Sequence, residues 1–131
     1  MELQVMSWND VFAATALEQA ALIRAKSISC EELSRAYLDR IDALEPKLNA
    51  FVTTFRRRAL ADARAKDAAV KRRDDLPVFH GVPIGIKDIF DTGDMPTEFG
   101  SALWAGRTPR RDAAAVARLR AAGAVIMGKT V

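Results

Sequence analysis

An α/β fold is what this sequence predicts, with a helical lead-in over residues 1–75 and the start of a sheet, with one crossover helix, over 76–131. Three observations carry it. Through the first half, apolar residues recur at steps of three and four, which is the spacing of one helix face. Val82, Ile84 and Ile86 then alternate with Gly81, Pro83, Gly85 and Lys87, the period of a strand. Ala124 to Met127, finally, is a short unbroken apolar run of the kind buried on both faces of a parallel sheet.

In chain order, Ser7 with Asp10 starts the first helix, and Ala13, Leu17, Ala20 and Ala21 fall on one face. Ser29 and Glu32 form an S-x-x-E capping box ahead of Leu33, Tyr37, Ile41 and Leu44. Pro46 is expected to close this second helix, because the residue before a proline is pushed out of helical geometry. A third helix is expected from about Phe55 to Arg73. Its basic residues (Arg56, Arg57, Arg58, Arg64, Lys66, Lys71, Arg72, Arg73) are interrupted by Asp62, Asp67, Asp74 and Asp75. That pattern reads as a solvated face laced with ion pairs rather than a phosphate-binding surface. The texture changes near Leu76. The strand around Val82–Ile86 follows, then a loop rich in Gly, Pro, Thr and Asp from about Asp91 to Arg111. Asp112 is expected to cap a helix whose Val116 and Leu119 face inward, and Gly123 sits where a C-terminal cap glycine belongs. Strand, helix, strand in that order implies two parallel strands joined by a crossover.

The chain has 131 residues, half of them hydrophobic, and a formal net charge of +3. Its 20 basic residues are interspersed with 17 acidic ones, so no segregated basic face for nucleic acid is expected. Cys30 is the only cysteine and His80 the only histidine, which excludes an intrachain disulfide and a Cys/His metal cluster, and fits a reducing, cytoplasmic setting. Glu2, Asp10 and Glu18 break up the N-terminal segment, which reads as neither a secretion signal nor a membrane span.

Lys87 is the residue that chemistry singles out. It shares a strand face with Gly81, Pro83 and Gly85, whose small size leaves room beside it. A lysine can act as a base when burial lowers its pKa from about 10.4 by several units. On the residues alone, a lysine leaving the sheet for solvent is the commoner case. Gly123 to Thr130 also satisfies the phosphate-loop pattern G-x-x-x-x-G-K-[ST], yet its four intervening residues are themselves the apolar strand and its first glycine ends a helix. Nucleotide binding is therefore a remote alternative, with Lys129 placed at an exposed strand exit. His80 has no Ser or Cys partner in the sequence and reads as a surface or hydrogen-bonded histidine. Cys30, in the first turn of a helix, reads as structural.

Several ordered blocks carry a further signal. S-C-E-E-L at Ser29–Leu33, Y-L-D-R-I at Tyr37–Ile41, N-A-F-V at Asn49–Val52, H-G-V-P-I-G-I-K-D at His80–Asp88, M-P-T-E-F-G-S at Met95–Ser101 and the stretch Asp112–Thr130 together resemble the opening of the amidase signature family. The resemblance implies a mixed sheet and a Ser-cisSer-Lys mechanism. In it, a serine attacks an amide carbonyl, a second serine in a cis peptide relays the proton, and a neutral lysine accepts it. By its place in G-I-K-D, that lysine is Lys87. The family sets both serines and the oxyanion donors in a downstream Gly/Ser-rich segment that is absent here. Ser27, Ser29, Ser34 and Ser101 do not match it.

The expectation is therefore the N-terminal part of one amidase domain, acting on a small-molecule amide without metal or organic cofactor in the complete protein and inactive alone. The alternative is a split subunit or a non-catalytic binding module whose partner chain supplies the serines. A transamidation subunit working on aminoacyl-tRNA shares the same blocks. Asp91, Thr97, Glu98 and Ser101 are candidates for the cleft wall, and exposed sheet edges are expected to favour self-association.

Overall fold

The computed structural model describes residues 6–72 and 75–131. Glu2, and Arg73 and Asp74 at the end of the expected third helix, lie outside them. The elements are α1 (Trp8–Ala13), α2 (Ala16–Arg24), α3 (Cys30–Leu48), β1 (Phe51–Thr54), α4 (Arg56–Arg72), β2 (Pro83–Lys87), a 3-10 turn (Ala102–Trp104), α5 (Ala114–Ala121) and β3 (Val125–Thr130). The sheet is three-stranded in the order β1-β3-β2, with β1 antiparallel and β2 parallel to the central β3.

The expected first helix is two helices. Ala14 is extended, and Thr15 and Glu18 form a second capping box that starts α2, so the buried face carries Gln19, Ala20 and Ile23 while Leu17 and Ala21 are exposed. Pro46 does not end α3. It sits in the last turn, where only one ladder bond is lost, and the helix stops at Asn49, which turns left-handed at φ 51° with its N–H on the Glu45 carbonyl. β1 adds a strand that the sequence does not announce: four residues are too few to display a period.

Asp112 does not cap α5. The N-cap residue is Ala113, with no side-chain cap bond. Its own N–H is taken by the Asp91 carbonyl at 2.8 Å, while the Asp112 carboxylate accepts from the Gly93 N–H at 2.8 Å and pairs with Arg120 at 2.9 Å.

Two apolar clusters sit on either side of β3. Val125 and Met127 join Val11, Ile23, Leu33, Leu38 and Leu60 under the helices, whereas Ile126 joins Ile86, Met95 and Val116. The helices are tied by charge as well. Asp67 of α4 accepts from the Cys30 and Glu31 N–H groups at 2.7 and 3.0 Å, closing the start of α3 from a neighbouring helix. Arg56 bridges Asp39 and Asp42, and Arg64 meets Glu31, so two basic residues of α4 are directed at α3, while Arg58 reaches Asp94 and Lys66 pairs with Asp62 on α4 itself.

Gly123 holds the return from α5 against the lead-in to β2. Its φ is +92°, and a Cβ there would stand 2.6 Å from the His80 Cα. No side-chain residue fits that approach.

Candidate active site

β2 and β3 run parallel and end side by side, with Lys87 opposite Thr130. In open α/β sheets this carboxyl end of the strands is where ligands bind. Lys87 is exposed there, and its Nζ donates to the Val131 carbonyl at 2.9 Å. Gly85 lies two residues back on the same face; a Cβ in its place would stand 2.9 Å from the Thr130 Cγ2 and 3.5 Å from the Phe51 ring, so those two side chains, rather than open space, lie over this glycine.

The chain turns immediately after Lys87. Phe90 N–H donates to the Lys87 carbonyl at 3.1 Å, and Asp88 N–H to the Thr130 carbonyl at 2.8 Å. The Asp88 carboxylate is buried and accepts from the Glu98 N–H at 3.3 Å.

Lys129 corrects the expectation of an exposed strand exit, being only 1% exposed. Strict alternation from Val125 and Met127 would aim it under the helices. The β2–β3 register shifts between Ile84 and Gly85, and past that irregularity Lys129 stands opposite Ile86, with its head turned toward the loop that follows β2. Its Nζ lies 2.7 Å from Thr97 Oγ1, 3.1 Å from Thr92 Oγ1 and the Phe90 carbonyl, and 3.2 Å from the Pro96 carbonyl. Asp88 is 3.4 Å away. Burial pulls the Lys129 pKa below the ordinary lysine value, and the hydrogen bond and charge of Asp88 oppose that pull.

The cleft-wall candidates are largely engaged within the loop itself. Thr97 is fully buried on Lys129, Glu98 accepts from the Gly106 N–H, and Ser101 Oγ accepts from the Leu103 N–H at 3.3 Å. Asp91 pairs with Arg107 at 2.9 Å, which holds its carboxyl below the usual range. The Arg107 guanidinium in turn lies 5.0 Å from the Phe99 ring and 5.9 Å from the Trp104 ring.

Sequence reasoning missed Lys129, Thr92, Asp88 and Arg107 as parts of one structure. The available signal is the length of the apolar strand, which carries burial on to Gly128 and Lys129.

The remaining candidates are structural. His80 is buried with Nε2 3.0 Å from the Lys66 carbonyl. Cys30 is fully buried, and desolvation, reinforced by the Asp67 charge, pushes its thiol up to about 12. In the phosphate-loop pattern, Val125–Thr130 is a strand, so it offers no loop of successive N–H groups. Among the described residues no group of three or more His, Cys, Asp or Glu side chains could hold a metal ion, and no helix is long and apolar enough to cross a membrane.

A parallel strand pair ending on a lysine, with helices packed on β3 and a loop folded back over the strand ends, is the opening of the amidase signature fold. The Amidase family profile matches residues 32–131, and the chain belongs to that family. Among relatives, it is 44% identical over 122 residues to one of the subunits of the glutamyl-tRNA(Gln) amidotransferase of Acidothermus cellulolyticus, covering 93% of this chain and 24% of the relative. It is 46% identical over 112 residues to the putative amidase AmiD of Mycobacterium tuberculosis, covering 86% and 24%. The native peptide amidase of Stenotrophomonas maltophilia superposes with a TM-score of 0.83 at 34% identity, covering 89% and 24%. The chain thus spans about a quarter of the length of these relatives.

Proposed function

We propose that the complete protein hydrolyses carboxylic amide C–N bonds, with Lys87 as its terminal base and residues 1–131 as the N-terminal part of one amidase domain (1–75 lead-in, 76–131 start of the core). The observation that carries this reading is Lys87, exposed at the shared carboxyl end of β2 and β3. A serine from the remaining domain attacks the amide carbonyl, and its proton passes through a second serine to neutral Lys87. The tetrahedral intermediate collapses to an acyl-enzyme as the amine leaves with a proton returned along the same path, and water then releases the acid. A neutral lysine requires desolvation. Lys87 is exposed in this chain, so its cover must come from the part of the domain that supplies the serines. The chain alone is accordingly inactive. The reading includes a small-molecule amide substrate, no cofactor, no nucleic acid, a cytoplasmic setting with Cys30 reduced, and self-association of the isolated chain through the outer edges of β1 and β2.

A second reading is favoured by the 44% identity to one chain of an amidotransferase. In this reading the ammonia released from an amide is passed on to an aminoacyl-tRNA, with a partner chain taking part. The same assay separates the two: ammonia release from aliphatic, aromatic and amino-acid amides by the full chain carrying this segment, alone and with a partner chain. Release by the full chain alone supports the amidase; release only with the partner supports the amidotransferase role, as would a split arrangement in which the partner brings the serines. No release under either condition contradicts both. Magnesium ATP is expected to leave the melting temperature unchanged, because the Lys129 ammonium is occupied by loop oxygens.

A further inference from the structure

We infer that Lys129 is the positioning residue for Lys87: its buried ammonium gathers the loop that begins at Asp88 and so fixes the end of β2 from the opposite face of the sheet. This rests on the reading of Lys87 as the base. A lysine ammonium has three donors. Four oxygens lie within hydrogen-bond distance of this one, the Phe90 and Pro96 carbonyls and the Thr92 and Thr97 hydroxyls, all contributed by the eight residues from Phe90 to Thr97. The Asp88 carboxylate supplies the counter-charge at 3.4 Å. Burying a lysine head is expensive unless its donors are satisfied and its charge is met. An apolar residue would fill a β3 position at lower cost, so the loop organisation is what the lysine provides.

The link to Lys87 is short. Phe90, whose carbonyl Lys129 holds, returns its own N–H to the Lys87 carbonyl at 3.1 Å. Asp88, which faces Lys129, is the next residue after Lys87; its carbonyl accepts from Phe99 N–H at 3.0 Å and its carboxylate from Glu98 N–H. Lys129 therefore acts on Lys87 through one turn of backbone rather than by contact. Misplacing a base by a fraction of a bond length lowers turnover without removing any reacting group.

The test uses the full chain carrying this segment. Lys129→Met keeps an unbranched chain out to the Cε position and removes the ammonium with its donors. The expected result is a kcat for ammonia release lowered by at least about tenfold, with KM within about threefold. Hydrogen exchange at the Phe90, Glu98 and Phe99 amides should quicken while the β2 and β3 ladder amides stay protected. A merely structural role would instead lower protection throughout in step with the melting temperature. That pattern, or unchanged kcat with an opened loop, overturns the proposal. Thr92→Val and Thr92→Ser provide a second arm should Lys129→Met fail to fold: valine, lacking the hydroxyl, is expected to lower kcat and open the same amides, and serine to restore both. Equal behaviour of the two Thr92 variants also overturns it. Lys87→Ala run in parallel separates the two claims, since near-normal turnover there removes the base itself, whatever Lys129 does.

Discussion

Lys87 and Lys129 occupy neighbouring strands one step apart in register, Lys87 opposite Thr130 and Lys129 opposite Ile86, and so face opposite sides of the sheet. One is exposed at the strand end; the other is 1% exposed and surrounded by oxygens. The sheet thereby separates an exposed lysine, whose Nζ donates to Val131 at the strand end, from a buried lysine committed to holding the adjacent loop.

Cys30 should be chemically silent in the folded protein. With its thiol pushed up to about 12 by burial and the Asp67 charge, iodoacetamide at neutral to mildly alkaline pH is expected to react about a thousandfold more slowly than with an ordinary cysteine. Mass spectrometry of the alkylated chain, native and in denaturant, checks this. Equal rates in the two conditions would contradict the burial.

Asp67→Ala should destabilise the chain by about 1–2 kcal/mol, because it leaves the Cys30 and Glu31 N–H groups without their acceptor at the start of α3. Asp67→Asn, which retains one acceptor oxygen, should lose less. Urea denaturation of the three proteins gives the order, and an alanine variant as stable as the parent would refute the inter-helix cap.

Gly123→Ala is expected to cost at least about 2 kcal/mol, since the φ of +92° disfavours any side chain and the new methyl would meet the His80 backbone. A melting temperature unchanged from the parent would mean that the β2 lead-in does not pack against this turn.

The Asp91–Arg107 pair should be pH-dependent. Arg107 holds the Asp91 pKa below its ordinary 3.8, so the pair is fully formed above that value and is lost as pH falls through the lowered one. Because Arg107 lies 5.9 Å from the Trp104 ring, the fluorescence of Trp104 in a Trp8→Phe background reports the release. Asp91→Asn should reproduce the acid signal at neutral pH. An unaltered spectrum in that variant would show that Asp91 does not hold Arg107.

Much of this arrangement is legible in the sequence where local chemistry decides it. The Ser29–Glu32 box starts α3, the alternation of Val82, Ile84 and Ile86 carries β2 to Lys87, and Gly123 marks the end of α5. What escapes such reading is decided by partners far along the chain. β1 exists because β3 pairs with it, Asp112 leaves its helix because Gly93 and Arg120 claim it, and Lys129 turns inward past a register irregularity that no period reveals. The Thr15–Glu18 box is the exception, since its T-x-x-E pattern is local and readable and divides what the apolar spacing alone presents as one longer helix.

The most direct test of the central claim is ammonia release from a cleavable amide by the full chain carrying this segment, compared with its Lys87→Ala variant at equal folded concentration. The expected result is a loss of at least about a thousandfold in kcat/KM with the melting temperature preserved, as removal of the base requires. Near-normal turnover in the variant would contradict the role of Lys87 and, with it, the assignment of the strand end as the catalytic site.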